Sequence, residues 1–154
     1  MFFSSLFLAY GKEYTPLKEL YEAREGGLHI LERCASLNMA KINFAKKFKN
    51  NVVGSSYTLG EEYTALKHIA LWIYEQQKVS KENAVNLFDT YTKNFQRFYE
   101  ERIYHNYEET DHPYSSDNLI SSDNAICSEY IGVAKDHLRT SLRNALRSIA
   151  PKDN

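Results

Sequence analysis

Apolar residues recur every three or four positions along most of this chain, which is the spacing of one face of an α-helix. The clearest example is a helix predicted from about Leu28 to Lys49, where the intervals are 3, 4, 4, 3 and 3 residues. Its apolar stripe comprises Leu28, Leu31, Ala35, Met39, Ile42 and Ala45. We find no alternating apolar and polar stretch long enough for a convincing strand, so the pattern predicts an all-α protein.

Start and stop signals divide this pattern into a compact bundle of about five helices. A first helix is expected after Thr15-Pro16, a capping residue followed by proline, and is interrupted by Gly26-Gly27. Thr58 and Glu61 fit a capping box, in which each side chain accepts a backbone N–H at the helix start. They predict that the third helix begins there.

The second half of the chain predicts two long helices joined by one loop. Ser80 is the expected cap of a helix that continues to about His105. Residues 105–122 are polar and acidic and contain Pro113, so we interpret them as a loop. The last helix is expected over residues 123–150, and we treat residues 1–154 as a single all-helical domain.

The overall composition is that of a globular protein. The chain has 154 residues, is 43% hydrophobic and 25% charged, and has a formal net charge of −1. These values exclude an intrinsically disordered chain. No apolar run approaches the roughly 18 residues of a membrane span, and near-neutrality argues against a dedicated nucleic-acid binder. Neither a membrane nor nucleic acid is therefore an expected partner.

The chain has two cysteines, Cys34 and Cys127, at apolar positions of predicted helices. Since a disulfide framework needs more cysteines, we interpret them as buried free thiols of a cytoplasmic protein, with one disulfide as the alternative. The apolar residues 1–9 have no basic region before them and no small-x-small cleavage pattern after them. They predict a packed N-terminal segment, with an export signal as the alternative.

Few patterns in the chain indicate catalytic, metal or cofactor chemistry. The stretch Gly54–Gly60 lacks the lysine of a phosphate-binding loop, Gly-x-Ser-x-Gly is absent, and Cys/His pairs with zinc-ligand spacing do not occur. Residues Glu109–His112 match a Glu-x-x-His element once, without the second copy that a di-metal site needs. We therefore predict no catalytic residues, no metal and no cofactor.

Charge is strongly segregated along the chain. Residues 100–129 contain eight carboxylates and one arginine, Arg102, which gives a local charge of −7. Tyrosines are interleaved with these acids. Acidic patches speed association with basic partners, and aromatic side chains often anchor interfaces. The predicted partner-binding residues are Glu100, Glu101, Tyr104, Tyr107, Glu108, Glu109, Asp111, Tyr114, Asp117 and Asp123.

These features predict a non-catalytic protein-binding module with a basic protein as its partner. The sharper form of this hypothesis is an inhibitor, antitoxin or immunity-type protein. Such a protein would neutralise a basic toxin, for example a nuclease whose active site attracts phosphate.

Two alternatives belong to other functional classes. One is a helical RNA-processing enzyme in which Arg24 and His29 act together, or a nucleic-acid binder that uses a basic stripe on the last helix. The stripe comprises Lys135, Arg139, Arg143 and Arg147. The other is a small-ligand-binding regulatory domain, which needs an apolar cavity. Its candidate lining is Tyr63, Trp72, Phe88 and Phe95.

Overall fold

Five helices form the part of the chain that a computed structural model describes, which is residues 16–23, 26–48, 56–114 and 118–149. They are α1 (Leu17–Glu22), α2 (Gly27–Phe48), α3 (Ser56–Gln76), α4 (Lys81–Thr110) and α5 (Asn118–Ile149). These described residues contain no strand. The predicted all-α bundle of about five helices is confirmed.

Helix α2 lies at the centre of the bundle and is buried on most of its sides. It packs against α3 and α4 and also contacts α1 and α5. Because a central helix has few exposed positions, polar side chains are buried on it together with apolar ones. The buried polar residues are Glu32, Arg33, Ser36, Asn38 and Lys41. The predicted apolar stripe is therefore only part of the buried surface of α2.

Helix α3 runs antiparallel to α2, as two polar contacts between them show. The hydroxyl of Tyr74 donates to Glu32 Oε1 at 2.5 Å, and Asn38 Nδ2 donates to Glu62 Oε2 at 3.2 Å. Asn38, which follows Glu32 on α2, thus contacts Glu62, which precedes Tyr74 on α3. Polar residues at these positions join the two helices rather than facing solvent.

The structure changes one predicted helix start and confirms another. Helix α3 begins at Ser56, so Thr58 and Glu61 both lie inside it and the predicted capping box is wrong. The side-chain oxygen of Ser80 accepts the backbone N–H of Asn83 at 3.4 Å, which confirms the predicted cap of α4.

The predicted acidic loop over residues 105–122 is mostly helical, so its boundaries are wrong. Helix α4 continues to Thr110 and ends at Asp111, which has a left-handed backbone with φ of 56°. Buried Ile103 and Asn106 continue the core-facing side of α4 at helical spacing, which explains the extension despite the polar composition. Helix α5 begins at Asn118, five residues before the predicted start of 123.

A disulfide joins Cys34 on α2 to Cys127 on α5 across a sequence separation of 93 residues. The prediction of two free thiols is therefore wrong, and the alternative of a single bridge holds. Both residues are buried where the two helices meet, so the core brings the sulfurs together. Disulfides persist in oxidising compartments, which removes the argument that placed the protein in the cytoplasm.

None of the described helices combines the length and the apolar character that crossing a bilayer requires. Several predictions concern positions outside the described residues. They include the packed segment over residues 1–9, the cap at Thr15, Arg24 of the alternative RNA-processing enzyme and the predicted partner-binding residue Asp117.

Candidate functional site

Asp123 was predicted to contact a partner, but it lies in the core and is 0% exposed. Its Oδ2 accepts a hydrogen bond from Arg33 Nη2 at 2.8 Å and another from the hydroxyl of Tyr99. Its Oδ1 accepts the backbone N–H of Leu17 at 2.9 Å. The prediction for Asp123 is wrong, because this carboxylate joins α1, α2, α4 and α5 inside the protein.

Arg33, the cation of this buried network, has no solvent exposure either. Its Nε and Nη2 donate to the hydroxyl of Tyr99 at 3.2 Å and 3.0 Å, and its guanidinium lies 5.3 Å from the ring centre of Phe95. A buried ion pair of this kind is stable only when its remaining polar atoms are also bonded. The network therefore fixes how four helices pack and leaves no atom of Asp123 for an external partner.

Four of the predicted acidic residues do lie at the surface, near the end of α4. Glu101, Glu108, Glu109 and Asp111 are exposed. Glu101 and Glu108 are seven residues apart and therefore share one side of the helix. Glu109 Oε1 lies 3.3 Å from Nε2 of the exposed His105. We call the exposed Glu101, Glu108, Glu109 and Asp111 the acidic end of α4.

Glu100 has a different role from its acidic neighbours. It is half-buried, and its Oε1 accepts hydrogen bonds from Asn43 Nδ2 at 2.7 Å and from Gln96 Nε2 at 2.9 Å. The first of these bonds ties α4 to α2. Glu100 therefore contributes to packing and has less freedom to bind a partner than the acidic end does.

The three predicted tyrosines of this region pack against the end of α2. The ring centres of Tyr104, Tyr107 and Tyr114 lie 5.6, 5.2 and 5.9 Å from that of Phe44. Tyr104 and Tyr107 also contact Phe48, at 5.8 and 4.9 Å. All three tyrosines are half-buried, so each has one side in the core and part of its surface exposed. Burial raises the pKa of Tyr114 to about 12.

Helices α2 and α4 run parallel, so their carboxyl-terminal ends lie side by side. His29, near the start of α2, packs on Phe95 halfway along α4, and Phe44, near the end of α2, packs on Tyr107 near the end of α4. The two helix dipoles therefore add a partial negative charge at the end that carries the acids. The last turn of α2 offsets this with Lys46 and Lys47, whereas the last turn of α4 has no basic residue.

Glu32 is a buried carboxyl group of α2 that the sequence did not single out. Its Oε1 accepts the hydroxyl of Tyr74, and its Oε2 lies 3.9 Å from Nδ1 of His29. Burial raises the pKa of Glu32 to about 7, although the bond from Tyr74 opposes the shift. Burial, and then the nearby charge of Arg33, lowers the pKa of His29. His29 is thus part of this internal group, and its predicted partner Arg24 lies outside the described residues.

The four aromatic residues proposed to line an apolar cavity belong to different contacts. Phe88 and Phe95 are buried in the core, and the ring of Tyr63 packs 6.1 Å from that of Phe88. Trp72 is 44% exposed and its ring lies 4.9 Å from that of His137 on α5. An apolar binding cavity between these four side chains is therefore not what the fold forms.

A polar pocket of about 250 Å³ lies instead between α2, α3 and α5. Asn38 and Lys41 of α2, Glu62 of α3 and Asn124 of α5 are among the residues that line it. Sequence reasoning missed this pocket because its residues come from three helices and carry no common motif. In the sequence, Lys41 belongs to a lysine-rich stretch with Lys46, Lys47 and Lys49, and no pattern indicates that it is buried.

Comparison of this chain with protein-family models, with curated proteins and with solved structures finds no match in any of the three.

Proposed function

We propose that this protein is a non-catalytic binding protein whose acidic end of α4 docks on a basic protein. The observation that supports this most directly is the placement of Glu108, Glu109 and Asp111 at the carboxyl end of a helix. Each negative charge there is unfavourable by about 0.3–1 kcal/mol, because the dipole of the helix places a partial negative charge at the same end. This cost to the fold supports a binding function as the reason for keeping these charges.

The surroundings of the acidic end also suit an interface. Tyr104 and Tyr107 are held by Phe44 and Phe48, so their exposed surface is presented by rigid rings. Rigid aromatic anchors beside charged groups contribute a large part of the affinity at many protein interfaces. The exposed carboxylates would speed the encounter with a basic partner and select against acidic ones.

The sharper version of the proposal is an inhibitor of the antitoxin or immunity type, directed against a basic toxin such as a nuclease. The active site of such a nuclease is basic because it binds the phosphates of its substrate. Carboxylates on the surface of an inhibitor are attracted to the same basic groups. The disulfide supports an oxidising compartment as the place where this encounter happens, in place of the cytoplasm expected from sequence.

The test is a charge reversal of the acidic end, Glu108→Lys/Glu109→Lys/Asp111→Lys. The matched control reverses three exposed acids elsewhere, Glu61→Lys/Glu75→Lys/Asp136→Lys. Each protein is immobilised with its disulfide intact and incubated with extract of its native cells. Bound proteins are identified by mass spectrometry after washes at low and at high salt.

The proposal requires a basic protein that the wild type and the control retain at low salt and that the reversed variant loses. Thermal unfolding checks that the variant is folded. Lysines suit a helix carboxyl end, so we expect any loss of stability to come from the left-handed backbone of Asp111 and to stay small. Equal retention by all three proteins would refute the role of the acidic end, and so would retention of no basic protein by the wild type.

A further inference from the structure

The polar pocket between α2, α3 and α5 contains a buried cation. Lys41 is 8% exposed, and its ammonium group donates a hydrogen bond to Asn124 Oδ1. The ring centre of Tyr114 lies 6.0 Å from Nζ. Among the described residues, Lys41 forms no ion pair with a carboxylate. One neutral acceptor and one ring face do not compensate a buried charge that has three N–H donors.

Glu62, the carboxylate that also lines the pocket, is bonded to other groups. Its Oε1 accepts from Lys135 Nζ at 3.2 Å, and its Oε2 accepts from Asn38 Nδ2 at 3.2 Å. Lys135 pairs with Glu62, so the three charged groups Lys41, Glu62 and Lys135 together leave one net positive charge at the pocket. Burial lowers the pKa of Lys41 to about 8, and Glu62 opposes this only in part.

The neighbouring helix start makes the pocket more favourable for an anion. Thr58 and Leu59 in the first turn of α3 form part of the wall. The amino end of a helix carries a partial positive charge from its dipole. A buried ammonium group and a helix start on the same cavity both favour a negatively charged occupant.

We propose that this pocket binds a small carboxylate, with Lys41 as its counter-ion. A single ammonium group matches the single charge of a carboxylate, whereas phosphate groups are usually held by several donors or by arginine. A volume of about 250 Å³ corresponds to about eight water molecules at ~30 Å³ each. This space suits a short mono- or dicarboxylic acid. The proposal is independent of the acidic end of α4.

Isothermal titration calorimetry of the oxidised protein tests the proposal with acetate, succinate and the uncharged analogue succinamide. We expect one site for acetate or succinate and none for succinamide. Lys41→Met should weaken carboxylate binding at least about tenfold, since a hydrogen bond to a charged group is lost. Lys46→Met is the matched control, because Lys46 is exposed on the same helix, and it should leave binding unchanged.

A second variant keeps the test informative if Lys41→Met fails to fold. Ser128 lies on the rim of the pocket and is exposed, so Ser128→Leu should fill the entrance without disturbing the core. It should reduce carboxylate binding in the same way. Three results would each overturn the proposal: no heat from either carboxylate at about 10 mM, equal binding of succinamide, or unchanged binding in folded Lys41→Met or Ser128→Leu.

Discussion

The disulfide between Cys34 and Cys127 should account for a large part of the stability of this fold. It closes a loop across 93 residues that contains α3 and α4. In the chain-entropy model, a loop of this length restricts the unfolded chain by about 4.7 kcal/mol at 25 °C. Folded domains are typically stable by about 5–15 kcal/mol, so reduction should remove about a third or more of the total.

Urea unfolding of the same protein with and without a thiol reductant measures this contribution. We expect the free energy of unfolding to fall by about 4–5 kcal/mol on reduction. We also expect the dependence on urea to steepen, because the unfolded chain without its cross-link exposes more surface. The double variant Cys34→Ala/Cys127→Ala serves as a control for the chemistry of the reductant and should unfold like the reduced protein.

Two results would contradict this reasoning. One is a loss of less than about 1 kcal/mol on reduction, which would mean that the cross-link does not limit the unfolded chain as the model requires. The other is the detection of two free thiols in protein produced under oxidising conditions. Either result would also withdraw the support that the disulfide lends to an oxidising compartment.

Two further predictions concern buried charges. Asp123→Asn should cost about 3–5 kcal/mol in the free energy of unfolding, because it leaves Arg33 as a buried cation without its partner. The exposed control Asp136→Asn should change the free energy by less than about 0.5 kcal/mol, and equal effects in urea unfolding would refute the role of the network. Glu32 keeps its proton in the folded state up to a pKa of about 7, against 4.5 in the unfolded chain, so stability should fall as the pH rises between these values. The loss due to Glu32 should be about 3 kcal/mol and is measured as the difference between the wild type and Glu32→Gln, since His29 has a lowered pKa and acts in the opposite direction in both proteins. A difference that stays constant between pH 4 and 8 would contradict it.

The period of apolar residues was sufficient to predict the class of fold, and the cap at Ser80 was readable because its partner is three residues away. Local polarity was a poor guide to the end of α4. Residues 105–110 are mostly polar, yet Asn106 is buried and bonds through Nδ2 to the backbone oxygen of Pro113 at 3.3 Å. A polar side chain that satisfies the backbone of the next turn stabilises a helix end that composition alone assigns to a loop.

The long-range contacts of α2 could not be predicted from its own sequence. From the sequence alone, the charged residues Glu32, Arg33 and Lys41 indicate that α2 has a wide solvent-exposed side, although all three are buried in the structure. Only the neighbours on α3, α4 and α5 show that each of these groups meets a partner or a cavity. Asp123 shows the same difficulty, because an acid in an acidic stretch was assigned to the surface although its partner Arg33 is 90 residues away.

The two proposed binding regions adjoin at Tyr114 but differ in their electrostatics. This ring packs on Phe44 beside the acidic end of α4, and it also lies near Nζ of Lys41 in the pocket. Charges at the acidic end are exposed, so salt screens their attraction for a partner over a distance of about 8–10 Å. The charge of Lys41 is buried and is screened much less. Salt therefore separates the two activities: docking at the acidic end should weaken steeply as ionic strength rises, while carboxylate binding in the pocket should change little.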